Sequence, residues 1–240
     1  MLWFPHHFRP QERPIVFLEQ RDFLTQAEVA RLTALAREMP FIDGRLSNPH
    51  NITKMNQQGD VTDARHAEAS RMVSEAFARS RPFQDFAMPK IVAPPLLARY
   101  EPGMKYGAHS DVAFMQVLRD GVLAPLRSDI SATVFLNDPR SYDGGELVLH
   151  LGTRPVPIKG AAGELFAYPS TLLHEVRPVT KGQRLVSITF IESLVPDERD
   201  RNALFELKDV WSLEGLKMDW VNRVRMGVVL ENLTRLWSRP

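Results

Sequence analysis

The spacing of apolar residues changes twice along the chain. Before residue 80 it is helical: Val29, Leu32, Leu35, Ala36 and Met39 form one stripe, and Ala69, Met72, Val73, Ala76 and Phe77 form another. Thr25 and Glu28 stand three apart ahead of the first stripe, the pattern of a capping box, and Pro40 closes it. A second helix is predicted from about Asp63 to Arg79, with Arg65 and Arg71 on its solvated side. Beyond Pro82 short β-rich runs replace the helical pattern, at 91–92, 96–100, 107–112, 130–136, 146–150, 164–168 and 185–191, separated by Pro and Gly. In the run from Ile130, Ile130, Ala132, Val134 and Leu136 face one way, and Ser131, Thr133 and Phe135 the other. Such alternation predicts two antiparallel sheets around one core, a sandwich or jelly roll, rather than a doubly wound sheet. Helical spacing then returns, with Asp197 placed to cap a helix through Leu204 and Leu207. A last stripe holds Trp220, Val221, Val224 and Val228, continued by Leu233, Leu236 and Trp237.

The expected organisation is a helical segment with a substrate-side loop over residues 1–88, a mainly β core over 89–195, and a helical segment over 196–240. Two stretches fit neither period. Residues 43–60 are rich in Asn, Gln and Gly and read as a loop, with Asn56 and Gln58 solvated or touching substrate. Residues 112–129 are read as a lid that orders when the pocket fills, a short helix or a subunit contact.

Composition narrows the function. A chain of 240 residues can bury one substantial core. Its net charge of +1 gives no electrostatic case for nucleic acid or an anionic membrane. No run of eighteen apolar residues occurs, and the first eight residues lack a charged leader and a cleavage site. Cysteine is absent, which excludes disulfides and thiolate metal sites and leaves His, Asp and Glu as strong ligands. A small-molecule or peptide substrate is therefore expected, with no nucleic acid, no membrane and a homodimer contact through the helical segments. His6 and His7 are read as a surface pair, and His50, His66 and His150 as solvated or packed.

The chemistry concentrates in 97–111. Leu97 to Tyr100 reads as a strand, Pro102-Gly103 as a tight turn, and Tyr106 onward as the partner strand. Residues i and i+2 of a strand share a face, so His109 and Asp111 present an imidazole and a carboxylate together. These are two-thirds of a facial triad for non-haem Fe(II). His174 is the best candidate for the third ligand. Arg184 follows ten positions later, where a planar, permanently charged group can clamp the far carboxylate of a chelating oxo acid. Thr133 and Ser187 lie mid-strand as candidate hydroxyls for that carboxylate. Glu175 points away from the metal if His174 points in.

Tyr-x-x-His-x-Asp, a distal His and an Arg ten residues on resemble the signature of Fe(II)/2-oxoglutarate dioxygenases. Lys54 to Gln58, Ser131 to Pro139, Ser141 to Leu147 and Leu204 to Leu207 resemble the bacterial PKHD-type hydroxylases, of the prolyl 4-hydroxylase branch. The resemblance implies a double-stranded β-helix (jelly-roll) core. It implies Fe(II) on His109, Asp111 and His174, and 2-oxoglutarate anchored by Arg184, with Tyr100 lining its pocket. It also implies hydroxylation of a C–H bond with release of succinate and CO2, with ascorbate as accessory reductant. A ferrous site places the protein in the reducing cytoplasm. Two other readings remain: a non-catalytic metal- or 2-oxoglutarate-binding sensor, and a zinc hydrolase, which would need no dicarboxylate anchor. Prolyl, amino-acid, peptide and siderophore-like substrates all fit.

Overall fold

The computed structural model describes residues 16–48, 51–119 and 121–239. His6, His7 and His50 lie outside them. The chain runs β1 (Leu18–Gln20), α1 (Gln26–Glu38), β2 (Phe41–Asp43), β3 (Lys54–Met55), β4 (Gln57–Gly59), α2 (Ala64–Arg79) and α3 (Arg81–Ala87). Next come β5 (Pro89–Val92), β6 (Leu96–Tyr100), β7 (Lys105–His109), β8 (Phe114–Arg119), β9 (Val122–Arg127), β10 (Ile130–Phe135), β11 (Asp143–Gly144) and β12 (Leu147–Leu151). It closes with β13 (Arg154–Ile158), β14 (Leu165–Pro169), β15 (His174–Val176), β16 (Val179–Lys181), β17 (Arg184–Ser193), α4 (Glu198–Glu214) and α5 (Trp220–Trp237).

The expected helices form where their caps stand. Thr25 accepts from the Glu28 N–H while the Glu28 carboxylate takes the Thr25 N–H, a complete capping box. Asp63, Asp197 and Asp219 cap α2, α4 and α5. No helix among the described residues is long and apolar enough to cross a membrane.

Two antiparallel sheets face each other as a jelly roll. The larger runs β1-β14-β10-β17-β6-β4-β2, with β5 also on β17, and the smaller runs β13-β12-β15-β7-β3. Alternation assigns the two faces of the large sheet. Ile130, Ala132, Val134, Leu185 and Ile191 point outward into a cluster with Leu32, Val73, Phe77, Phe83 and Leu204 of the helices. Tyr100, Phe135, Phe166, Tyr168 and Val186 point inward against Leu147, Leu149 and Val176 of the small sheet. The N-terminal segment supplies strands as well as helices, since β1 to β4 join the two sheets.

Three local expectations are corrected. β6 and β7 are not hairpin partners: β6 pairs with β17 and β4 in the large sheet, and β7 with β15 and β3 in the small one. The turn between them, with Gly103 at φ +89°, hands the chain from one sheet to the other. Residues 43–60 are not a plain loop, because β3, β4 and the single residue between them carry Lys54, Gln58 and Asn56 into the fold, all buried. Residues 112–129 form a regular ribbon, β8 against β9 over six residue pairs, rather than a helix. Its base is held by buried Val117 and Leu126 packed with Ala93, while Leu118, Val122 and Leu123 at its tip are exposed.

Candidate active site and metal centre

β7 and β15 pair so that His109 stands opposite His174. Between Val176 and His174 the partner strand spends one more residue, from Tyr106 to His109, and this bulge turns Tyr106 and His109 toward the same side. Their rings stack at 3.7 Å between centroids. Gly107 is required there, because a Cβ would lie 2.6 Å from Thr53 Oγ1. Asp111 follows directly after β7, its N–H bonded to the Ser170 carbonyl.

One ligating atom from each of His109, Asp111 and His174 lies within 4.8 Å of the others. Nδ1 of His109 meets the Gly107 carbonyl at 2.7 Å, and Nδ1 of His174 meets the Leu172 carbonyl at 2.9 Å. A carbonyl can only accept, so each Nδ1 carries the proton and each Nε2 keeps its lone pair free for a metal. Nε2 of His109 and of His174 lie 3.9 and 3.7 Å from the Asp111 oxygens. Burial, reinforced by the neighbouring His174, pulls the His109 imidazole down to about 4, so it is neutral at physiological pH.

Asp111 is held by a chain of hydroxyls. Ser131 Oγ donates to Asp111 Oδ2 at 2.5 Å, Ser170 Oγ lies 2.7 Å from Ser131 Oγ, and Ser128 Oγ donates to Ser170 at 2.9 Å. A carboxylate only accepts, so the protons all point toward Asp111. Ser131 carries this role without having been singled out in the sequence. The signal was its inward face, shared with Thr133 and Phe135.

Arg184 opens β17 directly opposite Tyr100 on β6. It points inward on the face of Val186, its guanidinium 5.0 Å from the Tyr100 ring and 5.8 Å from that of Phe135. Only 2% of it is exposed, its Nε has no hydrogen-bond partner, and among the described residues no carboxylate pairs with it. Gly145 makes room for it, since a Cβ there would lie 3.2 Å from Arg184 Cδ. Burial raises the phenols of Tyr100 and Tyr142, which stay neutral, and the Arg184 charge opposes that rise in each.

The two candidate hydroxyls separate. Thr133 stands opposite Ile188 on the inner face. Ser187 lies three residues from Arg184 on the same strand, so its side chain leaves by the outer face toward the helices and cannot reach a ligand held by Arg184. Glu175 turns away as expected and lies 3.7 Å from His150 Nε2, which removes His150 from the site as well. His66 is packed against the core, 7% exposed.

Lys54, opposite Tyr106 in the β3–β7 pair, was not singled out as a site residue. It is 5% exposed, donates to Ser47 Oγ at 2.6 Å and lies 5.2 Å from the Tyr106 ring centroid. Burial draws its ammonium down to about 8, and the negative charges of Asp111 and Asp43 work against that.

Residues 95–192, which hold all of these inward groups except Lys54, match the family model of the 2OG-Fe(II) oxygenase superfamily. A PKHD-type hydroxylase of Sphingopyxis alaskensis is 45% identical over 212 residues, 88% of this chain and 94% of that protein. The chain belongs to the PKHD-type hydroxylases. Solved structures share the fold at lower identity. A Pseudomonas putida prolyl-4-hydroxylase superposes with a TM-score of 0.52 at 21% identity, covering 74% of this chain and 92% of that one. A Trichoplax adhaerens prolyl hydroxylase, in complex with a hypoxia inducible factor peptide fragment, gives 0.55 at 16% identity, covering 79% and 86%. As a PKHD-type hydroxylase the protein is an oxidoreductase of the dioxygenase class, and its family implies Fe(II) and 2-oxoglutarate. The donor set suits both groups. Two imidazoles and one carboxylate on one side of a metal are the ferrous facial triad, and a buried guanidinium without a carboxylate suits the far end of a dicarboxylate.

Proposed function

We propose that this PKHD-type hydroxylase oxidises a C–H bond of a small molecule or peptide, with His109, Asp111 and His174 holding Fe(II) and Arg184 anchoring 2-oxoglutarate. The observation that carries the reading is the Arg184 guanidinium, fully buried on the inner face and lacking an acidic partner among the described residues. Burying a charge costs several kcal/mol unless it is paired, so the site is built around an anion. Tyr100 lies beneath the guanidinium and lines the same pocket. Thr133 is the hydroxyl on the correct face to assist.

When bound, Fe(II) and 2-oxoglutarate supply oxygen activation, with release of succinate and CO2 and hydroxylation of the substrate. The protein's part is to position and to shield. The Nδ1 bonds fix both imidazoles as Nε2 ligands, the serine chain orients Asp111, and Tyr106 and Tyr168 wall the histidines against water. Ascorbate serves as the reductant that keeps the iron ferrous, and the cysteine-free chain works in the cytoplasm. The catalytic core is taken as residues 89–195, and the exposed apolar residues of α5 are where two copies would meet.

The test is succinate formation by anaerobically reconstituted Fe(II) protein, supplied with O2, 2-oxoglutarate and peptide or metabolite pools. Substrate-dependent succinate release supports the hydroxylase. Saturable 2-oxoglutarate binding with no succinate from any pool would instead make the protein a sensor.

A further inference from the structure

Lys54, Asn56 and Gln58 alternate along the segment that crosses from the small sheet to the large one. They are 5%, 6% and 7% exposed, whereas Met55 between them is 50% exposed. Residues at i, i+2 and i+4 of extended chain share a face. That face looks into the barrel: Lys54 stands opposite Tyr106, whose ring stacks on His109, Asn56 lies against the Tyr100 hydroxyl, and Gln58 stands opposite the inward Ala98. The strip therefore runs beside the site from its metal end to its arginine end.

Three polar groups on this strip are under-satisfied. Asn56 Oδ1 and Gln58 Oε1 are buried without a hydrogen-bond partner, the first packed onto Gly44, where a Cβ would lie 2.0 Å from it. The Lys54 ammonium has Ser47 Oγ, and among the described residues no carboxylate lies within ion-pair distance of it. Asp43, the nearby acid outside the metal site, is held by Arg45 at 2.5 Å. Charge balance sharpens the point. With the site loaded, the dication and Arg184 together offset Asp111 and the two carboxylates of 2-oxoglutarate. Lys54 is then a buried cation left over, and it calls for one more anion.

We propose that Lys54 is the substrate-recognition residue of this strip, and that its ligand is a small carboxylic acid, such as an N-acylated amino acid, whose carboxylate meets the ammonium. An ammonium supplies donors only, so the complementary group is an anionic acceptor. A carboxylate on a small skeleton meets that need. This rests on the oxygenase reading above and names the substrate class for that site.

The probes are the free amino acids and their N-acetyl derivatives, each as free acid and as primary amide, added anaerobically to the Fe(II)–2-oxoglutarate protein. Binding is read by calorimetry and by the change in the metal-to-cosubstrate charge-transfer band. At least one acid is expected to bind saturably, with its amide about 10- to 100-fold weaker, the loss of one charge-assisted hydrogen bond. Lys54→Met should erase the preference for acid over amide, and Lys54→Arg should keep part of it. Amides binding as well as acids, no acid binding at all, or an undiminished preference in a folded Lys54→Met would each overturn the proposal. The wild-type comparison stands even if Lys54→Met does not fold. Absence of the charge-transfer band in the wild type would sink the oxygenase reading instead, before any probe is added.

Discussion

Replacing Arg184 with Met should move stability and cosubstrate binding in opposite directions. The side chain is almost wholly buried, its Nε is unbonded, and the Tyr100 and Phe135 rings and the Tyr142 hydroxyl flank it. Without a carboxylate beside it the guanidinium is a desolvated charge compensated by ring faces and the neutral Tyr142 hydroxyl, and methionine fills similar space without that cost. Apolar replacement of buried ionic groups is often neutral or stabilising by about 1–4 kcal/mol, so the melting temperature of the metal-free variant should hold or rise. With 2-oxoglutarate present the sign reverses. Its far carboxylate loses its partner inside the barrel, which costs about 2–5 kcal/mol, roughly 30- to several-thousand-fold in affinity. Arg184→Lys should recover part of this, since a point charge restores attraction without the planar fork. The assay is anaerobic titration of the Fe(II) protein with 2-oxoglutarate, following the charge-transfer absorbance, beside thermal melts of the metal-free forms. Unchanged cosubstrate affinity in Arg184→Met would refute the clamp.

Ser131→Ala removes the hydroxyl that aims Asp111, and Fe(II) affinity should fall about 10- to 100-fold in a metal-competition titration, with no loss if the serine chain is ornamental. Gly145→Ala places a Cβ at φ +67° against Val179 and Arg184, so cosubstrate binding should weaken while iron binding persists, as separate titrations would show. His109 takes a proton near 6.5 when unfolded but only near 4 when folded. The metal-free protein should therefore lose stability as pH falls from 6.5 to 4, by on the order of 3 kcal/mol. Urea denaturation across that range, with His109→Gln as control, checks this, and equal slopes for the two proteins would count against it. In the β8–β9 ribbon, amides at the base should exchange slowly and those near Gly121 quickly, whereas fast exchange along both strands would restore the mobile lid.

The cluster of His109, Asp111 and His174 was legible from i and i+2 on extended chain for the first two and, with Arg184, from the interval in the family resemblance. The helices were legible from their caps. The same two-residue rule, applied to β17, would have removed Ser187, since Arg184 and Ser187 differ in parity. What local pattern does not encode is which sheet a strand joins. Pro102-Gly103 signals a turn equally well whether the chain doubles back or crosses over, and only pairing with β17 and β15 decides. Asn56 and Gln58 look solvated by composition, and their burial follows from the crossing of β3–β4 between sheets. The bulge that turns Tyr106 beside His109 depends on a register set by β15, far away in sequence.

The crossover from β6 to β7 also acts as a ruler. In the proposed binding mode Tyr100 marks the carboxylate end of the pocket and His109 its metal end, and one short piece of backbone joins them. That piece is pinned at its middle, where the Gly103 N–H donates to the Val179 carbonyl and the Val179 N–H donates to that of Met104. The distance between the two ends of a bound dicarboxylate is thus written into the length of a turn. Inserting or deleting a residue between Glu101 and Lys105 would leave each end intact and put them out of reach of a single molecule. Length variation among descendants of this chain should therefore collect towards the tip of the β8–β9 ribbon, where Leu118, Val122 and Leu123 are exposed, and be absent from the turn at Gly103.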